Sequence, residues 1–331
     1  MKRLRYIPVI ILVCIVLQGR GQDVRFASFD SSPMFFNPAF TGFYSEQFRA
    51  TTTFRNQWSS VSKGYNSYLL TAETHLFNSR KHRFGFGLGL SFLADVAGSL
   101  NYGSQNFGLA LSFFKSMGLK SQHTFSFGLN INRSTYSYDI GNADYGSQIS
   151  DYEAIPLNLL SVYDISLGCN WQSTFDNKMI FQTGFNLMHL NEPLMTYFGY
   201  SELRMPMRTN LYASLYLPSD LSYGWKPTLM LQKQTINYEL LAGCEFIRHL
   251  DAFSFESKTI ACGVYYRILD ALILQGSYRY NGFNIGLCYE VNLSSLTPAS
   301  KTYGAVEIFM SYAFGVSKSG KRSTLLPCPV F

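Results

Sequence analysis

The feature that most constrains the fold of this chain is an alternation of apolar residues with small or polar ones. In the stretch RFGFGLGLSFL, residues 83–93, bulky apolar side chains occupy nearly every second position, and mostly glycine or serine lies between them. Successive side chains of a β-strand point to opposite faces of the sheet. The stretch therefore predicts a strand with one strongly apolar face. Glycine weakens a strand and is usually avoided there unless backbones pass close to one another.

The same two-residue period recurs along the chain, whereas helical periodicity is nearly absent. About fourteen segments separated by turn residues show it, as expected for strands bounded by turns. The ninth of these segments is the ambiguous one. The segments are 48–55, 67–76, 83–93, 107–113, 125–132, 163–171, 181–187, 211–217, 227–233, 238–246, 260–266, 272–280, 283–291 and 306–314.

Two all-β architectures produce such alternation. Soluble sandwiches and propellers use strands of about five or six residues, whereas the runs here reach about nine to twelve, the length that a tilted strand needs to cross a bilayer. Tyrosine and phenylalanine gather at the ends of the runs, as in aromatic girdles, and an even strand number is usual for bacterial barrels. We therefore predict an outer-membrane β-barrel of about fourteen antiparallel strands, with a secreted soluble β-protein as the alternative.

A barrel also explains the two unlike faces of the strands. The apolar face meets lipid, and the other face lines a lumen in which glycine, serine and asparagine suffice. On this interpretation we expect Leu88→Arg to impair assembly, because Leu88 faces lipid. We expect Gly87→Ser to be tolerated if the lumen is roomy.

The N-terminus predicts export. A basic start, an apolar run over 7–17 and small residues before a cleavage point near Gly21 are typical of a secretory signal peptide. The apolar run is too short to span a bilayer as a helix. Cys14 lies inside that run rather than after it, so a lipoprotein is not favoured.

We expect four parts in the chain. These are a signal peptide over 1–21, a pre-barrel segment over 22–45, the barrel over 46–315 and a periplasmic tail over 316–331. The pre-barrel segment contains FFNPAFTGF, in which Asn-Pro favours a turn. It is interpreted as a plug or periplasmic clasp, with a docking surface for a partner as the alternative.

Charge and cysteine content exclude several classes of function. Removing the four basic residues of the signal peptide lowers the net charge from +6 to +2, so nucleic acid is not an expected partner. Five of the six cysteines remain in the mature chain, an odd number without a C-x-x-C pair, which favours neither a disulfide framework nor a metal site. No cofactor is expected.

No catalytic motif is present either. The five histidines are scattered, and neither H-E-x-x-H nor G-x-S-x-G occurs. The alternation places five charged side chains inside the lumen, where a solvated or paired lining is favoured over general acid–base catalysis. They are Arg49, Arg55, Glu239, Glu245 and Glu290.

The lengths of the connections predict an orientation. If both termini are periplasmic, the two longest links, 134–158 and 190–206, lie outside the cell, and the Asn281-Gly282 turn, a type I′ hairpin signal, lies inside. The aromatic residues of the long links either anchor a partner or fold the links over the barrel mouth. They are Tyr136, Tyr138, Tyr145, Tyr152, Tyr197, Phe198 and Tyr200.

Both ends of the mature chain resemble one family. The run Asn37-Pro38-Ala39-Phe40-Thr41-Gly42, followed by Arg55-Asn56-Gln57-Trp58, resembles the N-terminal signature of the PorP/SprF family of type IX secretion system membrane proteins. The tail around Cys328 and Pro329 resembles the Cys-Pro-Arg-Phe ending of that family, with Val330 in place of the arginine. From the residues alone, Trp58 is interpreted as an interface anchor. Arg55, Asn56 and Gln57 are expected to hydrogen-bond the first outer loop.

The resemblance implies a non-enzymatic outer-membrane component of a secretion and gliding apparatus. Such proteins support export or surface attachment of a cargo protein or adhesin that carries a C-terminal sorting domain. Some connect to periplasmic secretion machinery or to peptidoglycan-associated proteins. Outer-membrane lipid is the remaining expected partner. A porin-like channel and an outer-membrane barrel enzyme are the alternative functions.

Overall fold

Fourteen antiparallel strands form a closed barrel within the part of the chain that the computed structural model describes. The described residues are 23–60, 63–79, 83–98, 101–118, 122–138, 159–196, 203–219, 222–250, 258–295 and 297–315. Each strand pairs with its neighbours in sequence, and β1 closes the barrel against β14. The strands are β1 (Phe48–Gln57), β2 (Tyr65–Ser79), β3 (Phe84–Ala97), β4 (Tyr102–Met117), β5 (His123–Ser137), β6 (Leu159–Thr174), β7 (Ile180–Met188), β8 (Arg208–Pro218), β9 (Tyr223–Gln234), β10 (Asn237–His249), β11 (Lys258–Arg267), β12 (Ala271–Tyr280), β13 (Phe283–Asn292) and β14 (Tyr303–Phe314).

The predicted fold is confirmed. All fourteen alternating segments lie in these strands, apart from Arg83 in the turn before β3, and the ambiguous segment 227–233 forms the middle of β9. Five strands, β2 to β6, run for 14 to 16 residues. They are longer than the alternation predicts and exceed the roughly 9–11 residues that cross a bilayer.

Helical structure within the described residues is confined to short turns. They comprise α1 (Pro33–Phe36), α2 (Thr297–Ser300) and the 3-10 turns Phe29–Ser31 and Pro38–Phe40. No helix in the described part of the chain is both long and apolar enough to cross a membrane.

Burial is inverted relative to a soluble protein, as the two-faced strands predict. Phe107 and Phe127 are 58% exposed on the outer face, whereas Gln172 and Asn210 are at most 1% exposed inside. An apolar outer band around a polar interior is the pattern of a membrane barrel. The strands therefore direct their hydrogen-bonding side chains towards the lumen.

The barrel has two distinct ends. The start of β1 and the links that join even-numbered strands to the next odd-numbered strand share one end, called the turn end here. The ends of β5 and β7, from which the chain continues to β6 and β8, lie at the other, the loop end. Asn281 and Gly282 connect β12 to β13 at the turn end with φ of +46° and +84°, as a type I′ turn requires.

The segment 23–47 lies inside the barrel and is called the plug. Its first residue, Asp23, contacts His189 and Gln234 near the loop end, and Gln47 precedes β1 at the turn end. Phe40 and Phe43 are completely buried in the lumen. The plug therefore extends along most of the lumen.

The plug removes the condition under which Gly87→Ser is expected to be tolerated, namely a roomy lumen. A Cβ atom on Gly87 would overlap the carbonyl oxygen of Thr41 in the plug, and one on Gly89 would overlap the sulfur of Met34. The inner face of β3, which carries Gly87 and Gly89, is therefore packed against the plug and does not face an open lumen. Glycine is required there because another backbone passes close to the strand.

The outer band gives a first testable prediction. Leu88→Arg should destabilise the barrel by about 2–4 kcal/mol, because it places a charge near the middle of the lipid-facing band. Val96→Arg, on the same face at the end of β3, should cost about 0–1 kcal/mol. The free energy of unfolding of both variants is measured by urea titration in lipid vesicles, with the folded fraction read from heat-modifiable gel migration. Equal destabilisation by the two variants would contradict the assigned faces.

Candidate functional site: the plugged lumen of the barrel

The centre of the plug is built on the motif that the sequence singles out. Asn37 caps the 3-10 turn Pro38–Phe40: its side-chain oxygen accepts the Ala39 N–H at 2.9 Å. Its amide nitrogen donates across the lumen to the carbonyl oxygen of Cys169 at 3.1 Å. The Pro38 ring suits the first position of the turn, where an N–H has no partner within the turn. Asn37 therefore both shapes the plug and binds it to β6.

Glycines on the wall allow the plug backbone to lie directly against the sheet. A Cβ atom on Gly128 would overlap the backbone of Pro38 and Ala39, and one on Gly168 would overlap the Asn37 side chain. Gly42 has φ of +67°, and a Cβ there would lie 2.9 Å from the Cα of Gly87. Glycine at position 42 thus meets both a backbone and a packing requirement.

Hydrogen bonds from β2 and β4 fix the end of this motif. The Gly42 N–H donates to Glu73 Oε2 at 2.7 Å, and the Tyr44 hydroxyl donates to the Glu73 carbonyl at 2.5 Å. The Ser112 hydroxyl donates to the Thr41 carbonyl at 2.5 Å. Arg49 balances the Glu73 carboxylate at 2.7 Å. The plug over 37–44 is therefore held by close packing and directional bonds together.

The first part of the plug, residues 23–30, is held differently, by charged groups. Asp30 pairs with Lys226 of β9 at 2.5 Å, and Arg25 pairs with Glu239 of β10. The backbone N–H groups of Ala27 and Ser28 donate to the Glu307 carboxylate at 2.6 and 3.0 Å. Each charged side chain of this segment thus has a wall partner of opposite charge.

The RNQW motif supplies the centre of the charged network. Arg55, 2% exposed, donates from both terminal nitrogens to the Glu290 carboxylate at 2.9 and 3.0 Å. It also lies 3.4 Å from Glu307, which binds the plug. Arg267 reaches Glu290 from the other side at 3.0 Å. Such bidentate pairs are strong and directional, so Arg55 links the wall to the carboxylate that receives the plug.

Among the described residues, the side chains of Asn56 and Gln57 form hydrogen bonds within the wall rather than with the first outer loop, contrary to the expectation. Gln57 accepts from Arg55 at 3.2 Å, and Asn56 donates to Asn66 on the neighbouring strand at 2.7 Å. Trp58 has φ of +57° and packs edge-on against Tyr65 at 5.5 Å. The motif therefore stabilises the loop end of the wall rather than a loop.

The remaining lumen charges that the sequence predicts also lie inside and are engaged. Glu239 contacts Arg25 and Arg267, and Glu245 accepts a hydrogen bond from Gln275 at 3.3 Å. No group of three or more His, Cys, Asp or Glu side chains suited to a metal ion occurs in the described residues. The lumen charges therefore act as plug anchors and wall pairs.

A cavity of about 700 Å³ lies between the plug and the wall near the loop end. Phe26 and Phe35 of the plug line it, opposite Asp95, Asp164 and Tyr136 of the wall. A space of this size, with one apolar and one polar side, is within the range of small-ligand pockets. Tyr136 thus faces the interior of the barrel mouth.

Several candidate residues lie outside the described part of the chain. Tyr138 is the exception: it is half-buried at the loop end and is the last described residue before the link. The others remain predictions. They are Tyr145, Tyr152, Tyr197, Phe198, Tyr200, Cys328 and Pro329.

Several plug anchors on the wall are not predicted from the sequence, among them Lys226, Glu307 and His189. Asp23 and His189 form a clasp in which His189 Nε2 lies 2.8 Å from Asp23 Oδ2 and Nδ1 lies 3.0 Å from Asp164. Burial alone would lower the pKa of His189, but hydrogen bonds to Asp164 and Asp23 and their negative charges raise that pKa to about 10. Burial opposes the charged form of Asp23 as well, yet His189 and Arg208 lower the pKa of Asp23 to about 2.

Together, the barrel and its plug define a class: an outer-membrane β-barrel closed by its own N-terminal segment. The family described as type IX secretion system membrane protein PorP/SprF matches residues 18–312. The chain belongs to this family, which confirms the resemblance, and the tail around Cys328 and Pro329 lies beyond the matched residues. Its location is the outer membrane.

Solved structures support the fold alone. The toluene transporter TbuX of Ralstonia pickettii is 10% identical with a TM-score of 0.54, over 87% of this chain and 94% of that chain. The monoaromatic hydrocarbon channel CymD is 9% identical with a TM-score of 0.50, over 86% of this chain and 93% of that chain. No curated protein matches the sequence.

The glycine contacts generate a prediction about the plug. Gly128→Ala should destabilise the barrel by about 1–3 kcal/mol or displace the plug, because the added methyl overlaps plug backbone. Gly276→Ala is the control, since a Cβ there has no neighbour within 4 Å. Thermal unfolding in detergent, with protease sensitivity of residues 23–47, measures the difference. Wild-type behaviour of Gly128→Ala would contradict close plug packing.

The clasp generates a pH prediction. Because the folded-state pKa of His189 is raised to about 10, its stabilisation is complete below the unfolded value near 6.5 and is lost as pH rises towards 10. The lowered pKa of Asp23 acts oppositely: its stabilisation is present above about 3.9 and is lost as pH falls towards 2.

Hydrogen exchange at residues 24–28 should therefore accelerate between pH 6.5 and 10 beyond its intrinsic pH dependence. His189→Gln should abolish this extra acceleration, whereas His123→Gln, at the turn end, should keep it. An identical pH response of His189→Gln and the wild type would show that the clasp does not hold the plug.

Proposed function

We propose that this protein is a non-enzymatic component of a type IX secretion and gliding system. It supports export or surface attachment of a cargo protein that carries a C-terminal sorting domain. The observation that carries the proposal is the plug: Asn37 bonds it to β6 across the lumen, and glycines on the wall allow its backbone to lie directly against the sheet. A barrel filled in this way does not need an open pore, so its function is assigned to its two ends.

The loop end is the proposed cargo side. Its long links contain the aromatic residues named above, and large aromatic side chains dominate the energetics of many binding surfaces. Tyr136 lines the cavity at this end, and Tyr138 lies beside the link 139–158. A cargo domain seated here would cover the cavity without passing through the barrel.

The turn end and the tail 316–331, with Cys328 and Pro329, are the proposed periplasmic side. They would contact the secretion machinery or a peptidoglycan-associated protein. This arrangement gives the barrel one partner on each side of the membrane, with the plug separating the two.

A small-solute channel is the second candidate function, and the 700 Å³ cavity favours it. For a solute to cross, however, the plug over 37–44 has to leave the glycine-lined wall. Conductance in planar bilayers distinguishes the two functions. The plugged barrel should carry no steady ionic current, whereas a porin should.

Cargo dependence is tested in a strain that lacks the gene. It is complemented with the full chain, with a variant lacking residues 139–158, or with one lacking residues 251–257. The first deletion should leave the barrel in the outer membrane and remove one or a few cargo proteins from the surface proteome. The second deletion, at the turn end, is the control and should restore the full surface proteome.

Two outcomes contradict the proposal. If the strain without the gene secretes and displays the same proteins as its parent but differs in solute uptake, the channel function replaces cargo support. If the variant lacking residues 139–158 restores every surface protein, cargo does not depend on that link.

A further inference from the structure

The outer wall of the barrel carries an apolar groove of about 790 Å³. Residues of eight neighbouring strands, from β13 and β14 through β1 to β6, line it. A uniformly convex wall cannot enclose such a space between its own outward side chains. The wall is therefore recessed here, and its centre carries the small side chains of Ala50, Thr52 and Ala72, all exposed.

The inner side of the same wall contacts the plug. Gly87 and Gly89 of β3 carry no side chain, so the wall and the plug residues Thr41 and Met34 approach one another closely. Strand β3 also contributes Leu90 and Phe92 to the groove. Strand β3 therefore contacts the plug on its inner face and lines the groove on its outer face.

A recess in a lipid-facing wall is filled in the membrane, because an empty apolar space forfeits dispersion contacts. The groove lies within the apolar outer band of the barrel, so a lipid acyl chain is the group expected to fill it. No charged side chain other than Arg133 lines the groove.

Arg133 lies at the rim of the groove, on the lipid-facing side of β5. It follows the apolar outward positions Phe127, Leu129 and Ile131 and precedes the polar Thr135, so it marks the edge of the apolar band towards the loop end. Its register partners are Phe107 on β4 and Tyr163 on β6, 58% and 65% exposed. Among the described residues it has no ion-pair or hydrogen-bond partner.

An arginine at this depth can bind a headgroup. Guanidinium groups form bidentate hydrogen bonds with phosphate, which a lysine ammonium does not match in geometry. We propose that the groove is a specific binding site for a membrane lipid with a phosphate-bearing headgroup. Arg133 binds the phosphate, and an acyl chain occupies the recess over Ala50, Thr52 and Ala72.

The test uses native mass spectrometry of the purified full-length mature barrel in detergent. Two lipids with the same chains are added separately: dioleoyl phosphatidylglycerol, and dioleoylglycerol, which has no phosphate. Three variants are compared with the wild type. Arg133→Gln removes the phosphate contact, and Ala72→Phe fills the recess. Lys115→Gln removes a cation from the outward face of β4 outside the groove and serves as the control.

The wild type should retain one phosphatidylglycerol at least threefold more often than dioleoylglycerol. Arg133→Gln should reduce phosphatidylglycerol retention to the level of dioleoylglycerol, and Ala72→Phe should lower retention of both lipids. Lys115→Gln should bind as the wild type does. Heat-modifiable migration verifies that every variant is a folded barrel.

Equal retention of phosphatidylglycerol by the wild type and Arg133→Gln would overturn the proposal. So would an Ala72→Phe variant that keeps both lipids, because the acyl chain would then lie elsewhere. If the wild type is a lipid-free dimer that Ala72→Phe converts to a monomer, the groove is an interface between two copies, and the lipid site is wrong.

Discussion

The contact between the plug backbone and the side-chain-free wall is the constraint on which the rest of the structure depends. Gly42 and Gly87 meet almost back to back, with a hypothetical Cβ on Gly42 only 2.9 Å from the Gly87 Cα. This approach leaves no room for a side chain between the two backbones. The plug therefore fills the lumen next to β3.

Ion pairs hold the plug in addition to its close packing against the wall. The lumen excludes most water from the plug, and buried charges are costly unless they are paired and hydrogen-bonded. The charges of the plug accordingly meet opposite charges on the wall, as Asp30 does with Lys226. Arg55 joins the network through Glu290 and Glu307. The plug is therefore fixed by steric fit over 37–44 and by ion pairs over 23–30, two kinds of anchor that respond differently to pH.

Much of the wall could be predicted from the sequence, because each strand alternates with a period of two and each turn carries local signals. Asn281-Gly282 is such a case. The plug was harder to predict. Its motif around Asn37 and Gly42 is recognised as a family signature, and a plug and a periplasmic clasp remain alternatives for the segment. Its partners on the wall, however, are distant in sequence: Glu73 lies 31 positions from Gly42, and Cys169 lies 132 positions from Asn37.

The same limitation explains two further points. The Asp23–His189 pair joins residues 166 positions apart, and no local periodicity connects them. Gly87 was predicted to face the lumen, and it does, but the alternation of one strand carries no information about what fills the lumen. One sequence signal for the plug was available. Glycines recur on the inner faces of β3, β5 and β6, and glycine is usually avoided in strands unless another backbone is near.

The position of the plug is tested most directly by a cross-link between it and the wall in intact cells. The hydroxyls of Ser32 in the plug and Thr53 on β1 lie 3.3 Å apart, so Ser32→Cys combined with Thr53→Cys should form a disulfide in the assembled barrel under mild oxidation. Peptide mass spectrometry of the outer-membrane fraction should find the two positions joined in most molecules. Recovery of both cysteines unlinked, each open to a thiol reagent, would contradict a plug inside the barrel.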